Sequence, residues 1–482
     1  MSIERRTLLK TGAAGALLGG PFAGFAASPA HARSAPQAGT LVPIKDKRDG
    51  KVRLHLPKGF SYRSFHDTES PVVLDDGTRL PGRHDGMGAF RGPDDSVILV
   101  RNHEVNNPVG AFGPGTPYDA SAGGGTTTVH VTKQGEVLSA YTSLNGTMMN
   151  CSGGVMPWGS WITCEETVNG PDVGPDFTGA PNTSLQKPHG YVFEVPANGE
   201  SDRQPVTRAG RFAHEAVSFD PVGGSLYLTE DNFAFASGFY RYTPAQNPMV
   251  SGSLDNDGVL EMLAVKGEPN KHLEGAQQQG ATYHVEWVVI DEPDFLFDYT
   301  PGQQAPTSND EAIVFVGDQG RSKGAAYFSR LEGQVYDDGV VYFTSTQAGG
   351  EPEAGTHDPA GYGNGFGQVW GYDTRNQKLT CIYQSPDQDT LDFPDNVTAS
   401  PRGTIVLCED SAGDNYLRGL STDGRLWDIA LNRLTSSTGA ERYSDEFAGS
   451  TFSTDGHALF VNIQASKGIT FAIWGPWRSI GV

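Results

Sequence analysis

Short apolar runs bounded by glycine, proline, aspartate or asparagine recur along the whole chain. They fall at residues 96–100, 126–131, 190–195, 225–228, 239–242, 312–316, 340–344, 368–372, 404–407, 458–463 and 470–474. These runs are rich in β-branched and aromatic side chains, so the pattern predicts strands; long helical periodicity is scarce. Two units repeat. In one, a polar turn feeds an apolar strand: Val217-Ser218-Phe219-Asp220-Pro221 into Leu226-Tyr227-Leu228, Thr398-Ala399-Ser400-Pro401 into Ile405-Val406-Leu407, and Thr451 to Gly456 into Leu459-Phe460-Val461. The other is an aromatic hairpin, Val369-Trp370-Gly371-Tyr372-Asp373 returning through Lys378 to Tyr383. Turn–strand units repeated radially are how propeller blades look in sequence. The pattern therefore predicts an all-β chain, a single decorated β-propeller of about six blades, with long inserted loops at 167–188, 248–280 and 350–364. A pair of β-sandwiches is the competing arrangement.

Composition sharpens this picture. Of 482 residues, 62 are glycine and 31 proline, well above the roughly 12% usual for the two together, as a turn-rich all-β chain requires. A formal net charge of −22 argues against nucleic-acid binding, which draws on a basic surface, and favours a monomer. No apolar run is long enough to span a membrane once the N-terminal segment is set aside. That segment, residues 1–32, reads as a twin-arginine signal peptide: Arg5-Arg6-Thr7-Leu8-Leu9-Lys10, a weakly apolar stretch from Gly12 to Ala27, and the small-x-small site Ala30-His31-Ala32. It predicts export by the twin-arginine machinery to the periplasm or outside the cell, with residues 33–482 as the mature domain. Four cysteines, Cys151, Cys164, Cys381 and Cys408, make neither a disulfide framework nor a CxxC zinc ribbon.

Candidate chemistry lies at the strand ends. Apolar strands run into Asn102-His103-Glu104, Cys164-Glu165-Glu166, Glu230-Asp231-Asn232 and Cys408-Glu409-Asp410, and Ala213-His214-Glu215 adds a further carboxylate. If these are equivalent strands of successive blades, their acidic ends converge near the axis. Converging carboxylates repel unless cations neutralise them; oxygens alone suit calcium, and a thiolate added to them suits a transition metal such as iron. Asp255-Asn256-Asp257-Gly258 lacks the downstream carboxylate of an EF-hand and reads as a turn. Gly320-Arg321-Ser322-Lys323-Gly324 matches a nucleophile-elbow pattern only formally.

The densest segment is Asn150-Cys151-Ser152-Gly153-Gly154, followed by Pro157-Trp158-Gly159-Ser160-Trp161 and Thr163-Cys164-Glu165-Glu166. It resembles the signature of the PhoX-type alkaline phosphatases, and Arg211 to Glu215, Arg330-Leu331-Glu332 and Val406 to Asp410 follow in the family's order. The resemblance implies a secreted β-propeller with iron (Fe3+) and calcium at its centre that hydrolyses small-molecule phosphate esters. It implies Cys151 as an iron ligand; Glu215, Glu332 and Glu409, with Glu165 and Asp410, as metal-binding carboxylates; and Arg330 as the residue that holds phosphate. One departure stands out. Where better-known members read Arg-Pro-Glu-Trp, this chain reads Arg330-Leu331-Glu332-Gly333 and its next strand ends in Ser345-Thr346, which marks a divergent branch. A metal-stabilised propeller that only binds a ligand, or a calcium-dependent lactonase or phytase, are the alternatives.

Overall fold

The computed structural model describes residues 39–353, 357–358, 360–421 and 424–482; the predicted export signal lies outside them. Strands dominate and the arrangement is propeller-like, with five sheets of six, three, nine, four and four strands. Six innermost strands, His84–Arg91, Asn150–Val155, His214–Asp220, Leu331–Asp337, Pro394–Ala399 and Phe447–Phe452, pack each against the next, and the last packs against the first. From each, strands lead outward in antiparallel order. Where the pattern predicts separate blades, the nine-stranded sheet joins two four-stranded units edge to edge. Thr282–Val289 does this by pairing Val259–Val265 on one side and Lys378–Gln384 on the other. The chain closes on itself: Ser61–Phe65 pairs with Ile469–Trp474, so the first and last parts of the chain share one sheet.

The predicted runs become strands because alternate residues face the sheet-to-sheet interfaces, where Leu226, Leu228, Tyr240 and Tyr242, or Val341, Phe343, Trp370 and Tyr372, are completely buried or nearly so. The aromatic hairpin forms as expected, Gln368–Asp373 against Lys378–Gln384. One expectation fails. Residues 312–316 are not a strand but the middle of the helix Asn309–Ser322. Ser308 caps it, its hydroxyl accepting from Glu311 N while the Glu311 carboxylate accepts from Ser308 N. This capping box satisfies the first amide groups, and Ala312 and Val316 then bury on one face. Ser322 sits at the last turn with its hydroxyl donating to Gln319 O, so the formal nucleophile pattern is a helix end. The Asp255 carboxylate accepts the amides of Gln246 and Asp257, the turn the sequence predicts.

A single local motif is repeated six times at the ring. In each inner strand a three-residue step opposes a two-residue step on the partner: His84 pairs His103 and Met87 pairs Arg101, and the same shift recurs at Asn150/Gly153, His214/Val217, Leu331/Gln334, Pro394/Val397 and Ala448/Thr451. This is a β-bulge, which bends the strand and re-aims the residue within it. A second link recurs just above: the amides of Glu104, Glu166, Asp231, Thr346, Asp410 and Gln464 donate to the carbonyls of Arg83, Met149, Ala213, Arg330, Phe393 and Glu446, at 3.0–3.1 Å. Glycine lets neighbouring copies close up. A Cβ on Gly86 would stand 2.6 Å from Cys151 O, and one on Gly333 2.6 Å from Asn396 Cα.

Candidate metal centre

The bulge determines which side chains meet at the axis. In five copies its second residue, Asp85, Cys151, Glu215, Glu332 or Asp395, lies at the ring; in the sixth the shift begins one residue later, at Ala448, which stands at the corresponding position. The residue that follows each partner strand is Glu104, Glu166, Asp231, Thr346, Asp410 or Gln464. Two ligand groups result, each with its donor atoms mutually within 4.8 Å: Cys151, Glu166 and Glu215, and Glu215, Glu332 and Asp395. Glu215 belongs to both. Its Oε2 is buried without a hydrogen-bond partner.

Burial first, then the charges of Asp395 and Asp85, push the Glu215 carboxyl well above the usual range. The same causes act on Glu332, beside Asp231 and Asp395, and on Glu166, beside Asp231 and Glu215. Asp395 is pushed up to about 7 by burial and the neighbouring Asp410. The Cys151 thiol is also driven up by burial and by Glu215 and Glu166; it lies 3.2 Å from the His214 carbonyl. A bound cation reverses every one of these shifts, because it favours the ionised form of each group. The unbonded Glu215 oxygen and the mixed thiol–carboxylate donor set therefore fit a metal.

Two arginines accompany the carboxylates. Arg330 donates through Nε and Nη2 to Asp231, at 3.1 and 2.7 Å, and through Nη2 to Glu332 at 2.8 Å. Its Nη1 edge has no protein partner among the described residues. Burial opposes the Arg330 charge, but Asp231 and Glu332 outweigh it and keep the guanidinium protonated. Arg83 pairs with Glu104 on another part of the ring, and Gln464 donates to both Asp85 and Glu104. Arg83 and Arg330 occupy the same motif position, and both have left-handed backbone, φ 48° and 39°. Strain of this kind costs on the order of 1–3 kcal/mol and persists where surrounding structure imposes it.

The predicted residues divide. Cys151, Glu215 and Glu332 come together, and Arg330 stands against them. Asp410 directly follows its strand at the ring, close enough to Arg330 and Asp395 for its charge to act on both. Glu165 and Glu409 occupy the preceding position, and alternation along a strand turns them to the other face. The Glu165 carboxylate accepts from Met148 N, Gly190 N, Tyr191 N and His189. That of Glu409 accepts from Arg418 Nε at 2.9 Å and from two backbone amides. Asp395, Glu166, Asp85 and Asp231 were missing from the predicted set. The signal for Asp85 and Asp395 was present in Arg83-His84-Asp85-Gly86 and Phe393-Pro394-Asp395-Asn396, which place an acid where Ala213-His214-Glu215-Ala216 does.

The Glu165 network has a measurable consequence. His189 is fully buried, with Nδ1 2.6 Å from Glu165 and Nε2 3.7 Å from Asp119. Burial disfavours its charge, but the two carboxylates outweigh burial and raise it from 6.5 to about 9. Because the folded value lies above the unfolded one, this stabilisation is complete below pH 6.5 and is lost as the pH climbs through about 9. It amounts to about 3 kcal/mol. Thermal unfolding of wild type and His189→Asn across this window is expected to show a gap that closes toward high pH; a gap independent of pH overturns the assignment.

Comparison with known proteins bears on the family and the fold. A family model described as alkaline phosphatase PhoX matches residues 40–140 and 136–467. Among solved structures, Pseudomonas fluorescens PhoX in complex with vanadate, a transition state analogue, superposes with a TM-score of 0.63 at 15% identity, covering 90% of this chain and 97% of that one. A gluconolactonase from Xanthomonas campestris, XC5397, reaches only 0.39 at 13% identity, covering 92% and 100%. A streptogramin B lyase reaches 0.38 at 11%, covering 86% and 98%; neither of these two bears on the fold. A sequence comparison with curated proteins finds no match.

Proposed function

Because the chain belongs to the PhoX alkaline phosphatase family, we propose that it is an exported, metal-dependent phosphomonoesterase built on a six-bladed propeller. Six copies of the bulged strand support the blade count, with the nine-stranded sheet read as two blades fused along Thr282–Val289. Cys151, Glu166 and Glu215 would hold a thiophilic ion, which we assign to iron (Fe3+), and Glu215, Glu332 and Asp395 a hard ion, which we assign to calcium. Asp410 and Glu446, neighbouring carboxylates whose charges act on each other, extend the oxygen-only part of the ring. Such ions, when bound, would supply a Lewis acid for the phosphoryl oxygens and would acidify the attacking water.

The chain's own residues do the rest. Arg330 is locked by Asp231 and Glu332, so its free Nη1 edge is held ready for a phosphate oxygen without further loss of side-chain freedom. Asp395 and Glu166 are partly open to solvent, whereas Glu215 and Glu332 form the buried floor, so the ester approaches from one side only. Glu165 and Glu409 act as braces for the strands that carry Glu166 and Asp410. Substrate of negative charge enters a strongly acidic protein because the local field of the cations, rather than net charge, governs the cleft. The vanadate bound by the Pseudomonas relative, a mimic of phosphoryl transfer, supports the same chemistry here. Export by the twin-arginine machinery fits a cofactor inserted before translocation, and the acidic surface favours a monomer.

The observation that carries this reading is Glu215, shared by both donor groups with an unbonded oxygen, while Arg330 is held on Glu332 of one of those groups. The test is phosphate release from an aryl phosphate monoester by the full chain exported from a twin-arginine-competent host. Dialysis against a chelator is expected to lower turnover at least about 100-fold, with recovery when metal is restored. Turnover that persists in demonstrably metal-free protein overturns the proposal.

A further inference from the structure

One phenylalanine stands beside Arg330 at the acidic ring. Phe233 follows Asp231 and Asn232 in the loop after its strand, and its ring centroid lies 5.3 Å from the Arg330 guanidinium carbon. It is 51% exposed, although phenylalanine is among the residues most often buried. The loop is not free to fold away, because its backbone is pinned: Tyr362 N donates to Phe233 O at 2.7 Å and Asp358 N to Ala234 O at 2.8 Å.

An exposed ring held against the guanidinium distinguishes one side of the site, because a phosphate ester held by Arg330 lies within reach of it. We propose that the exposed ring of Phe233 forms an apolar wall that receives the leaving group, so the site favours phosphomonoesters of flat aromatic alcohols over those of small polyols. The inference rests on the phosphomonoesterase reading and names its substrate class. An aromatic leaving group gains by offset or edge contact with this ring and by burial, whereas a polyol loses water there without compensation.

Phe233 also covers one face of the Arg330 guanidinium, which helps fix it. Losing that support weakens all phosphate esters alike, so the wall is read from a ratio. In the full-length, metal-loaded protein the ratio of kcat/KM for phenyl phosphate to that for glycerol phosphate is expected to fall about tenfold in Phe233→Ala and to recover in Phe233→Trp. An unchanged ratio, with both substrates weakened equally, reduces Phe233 to a support for Arg330 and overturns the wall. If the wild type hydrolyses neither ester, the phosphatase reading fails, and the wall is then tested by calorimetry with phenylphosphonate and methylphosphonate. Tighter binding of the phenyl compound, lost in Phe233→Ala, supports it; equal affinities overturn it.

Discussion

Glu215→Gln is expected to lower kcat/KM for an aryl phosphate by at least about 10³-fold, because an ion's charge stabilisation is worth several kcal/mol and each 1.36 kcal/mol is tenfold. Glu215 is the one residue common to both donor groups, so the amide removes a ligand and a charge from two positions at once. Glu332→Gln and Asp395→Asn leave the Cys151 group intact and are expected to show smaller losses of bound metal. The metal-free proteins should rank the other way. A buried carboxylate among others, with one oxygen unbonded, destabilises the fold unless a cation compensates it. Metal-free Glu215→Gln is therefore expected to melt at a higher temperature than metal-free wild type, and the order should reverse when metal is supplied. Elemental analysis of the purified proteins and paired melting curves check both parts. Full activity with full metal content in the variant would remove Glu215 from the centre.

These expectations depend on geometry that the sequence disclosed only in part. Strand runs were legible because β-branched and aromatic residues alternate with turn residues at short intervals, and the acidic strand ends were legible because Glu and Asp follow those runs directly. Hidden from it was the bulge. The bulge inserts one residue in the inner strand and so sets its register against the partner; which of two adjacent acids on that partner reaches the ring follows from this register, so Glu165 and Glu166, or Glu409 and Asp410, look equivalent until the pairing is known. In both pairs the second residue ends at the ring and the first is consumed by backbone amides and a cationic side chain. Asp395 escaped for a different reason. It sits inside its strand between Pro394 and Asn396, where an acid ordinarily signals a turn. The helix Asn309–Ser322 was misread because its apolar residues 312–316 are contiguous, and only the Ser308–Glu311 capping box tells a helix from a strand there.

Arg330→Ala should raise KM for phosphate esters about 100-fold or more while leaving bound metal unreduced. A charge-assisted hydrogen bond is worth about 1.5–3 kcal/mol, and the free Nη1 edge offers such a bond to phosphate. The metal expectation follows from the other face of the same guanidinium. Its Nε and Nη2 hold Asp231 and Glu332, so removing it releases two carboxylates and one positive charge from the ring, which favours cations. Arg330→Lys should recover little, since an ammonium cannot bridge Asp231, Glu332 and a phosphate in one plane. The backbone supplies a control for folding. Arg330 has φ 39°, a conformation that costs L-residues about 1–2 kcal/mol and glycine almost nothing. Arg330→Gly should therefore be more stable than Arg330→Ala by about 1 kcal/mol yet just as impaired in phosphate capture. If kinetics instead follow stability, with the glycine variant the more active, the arginine acts by shaping the strand. If both variants lose phosphate affinity equally and retain metal, it acts by its charge.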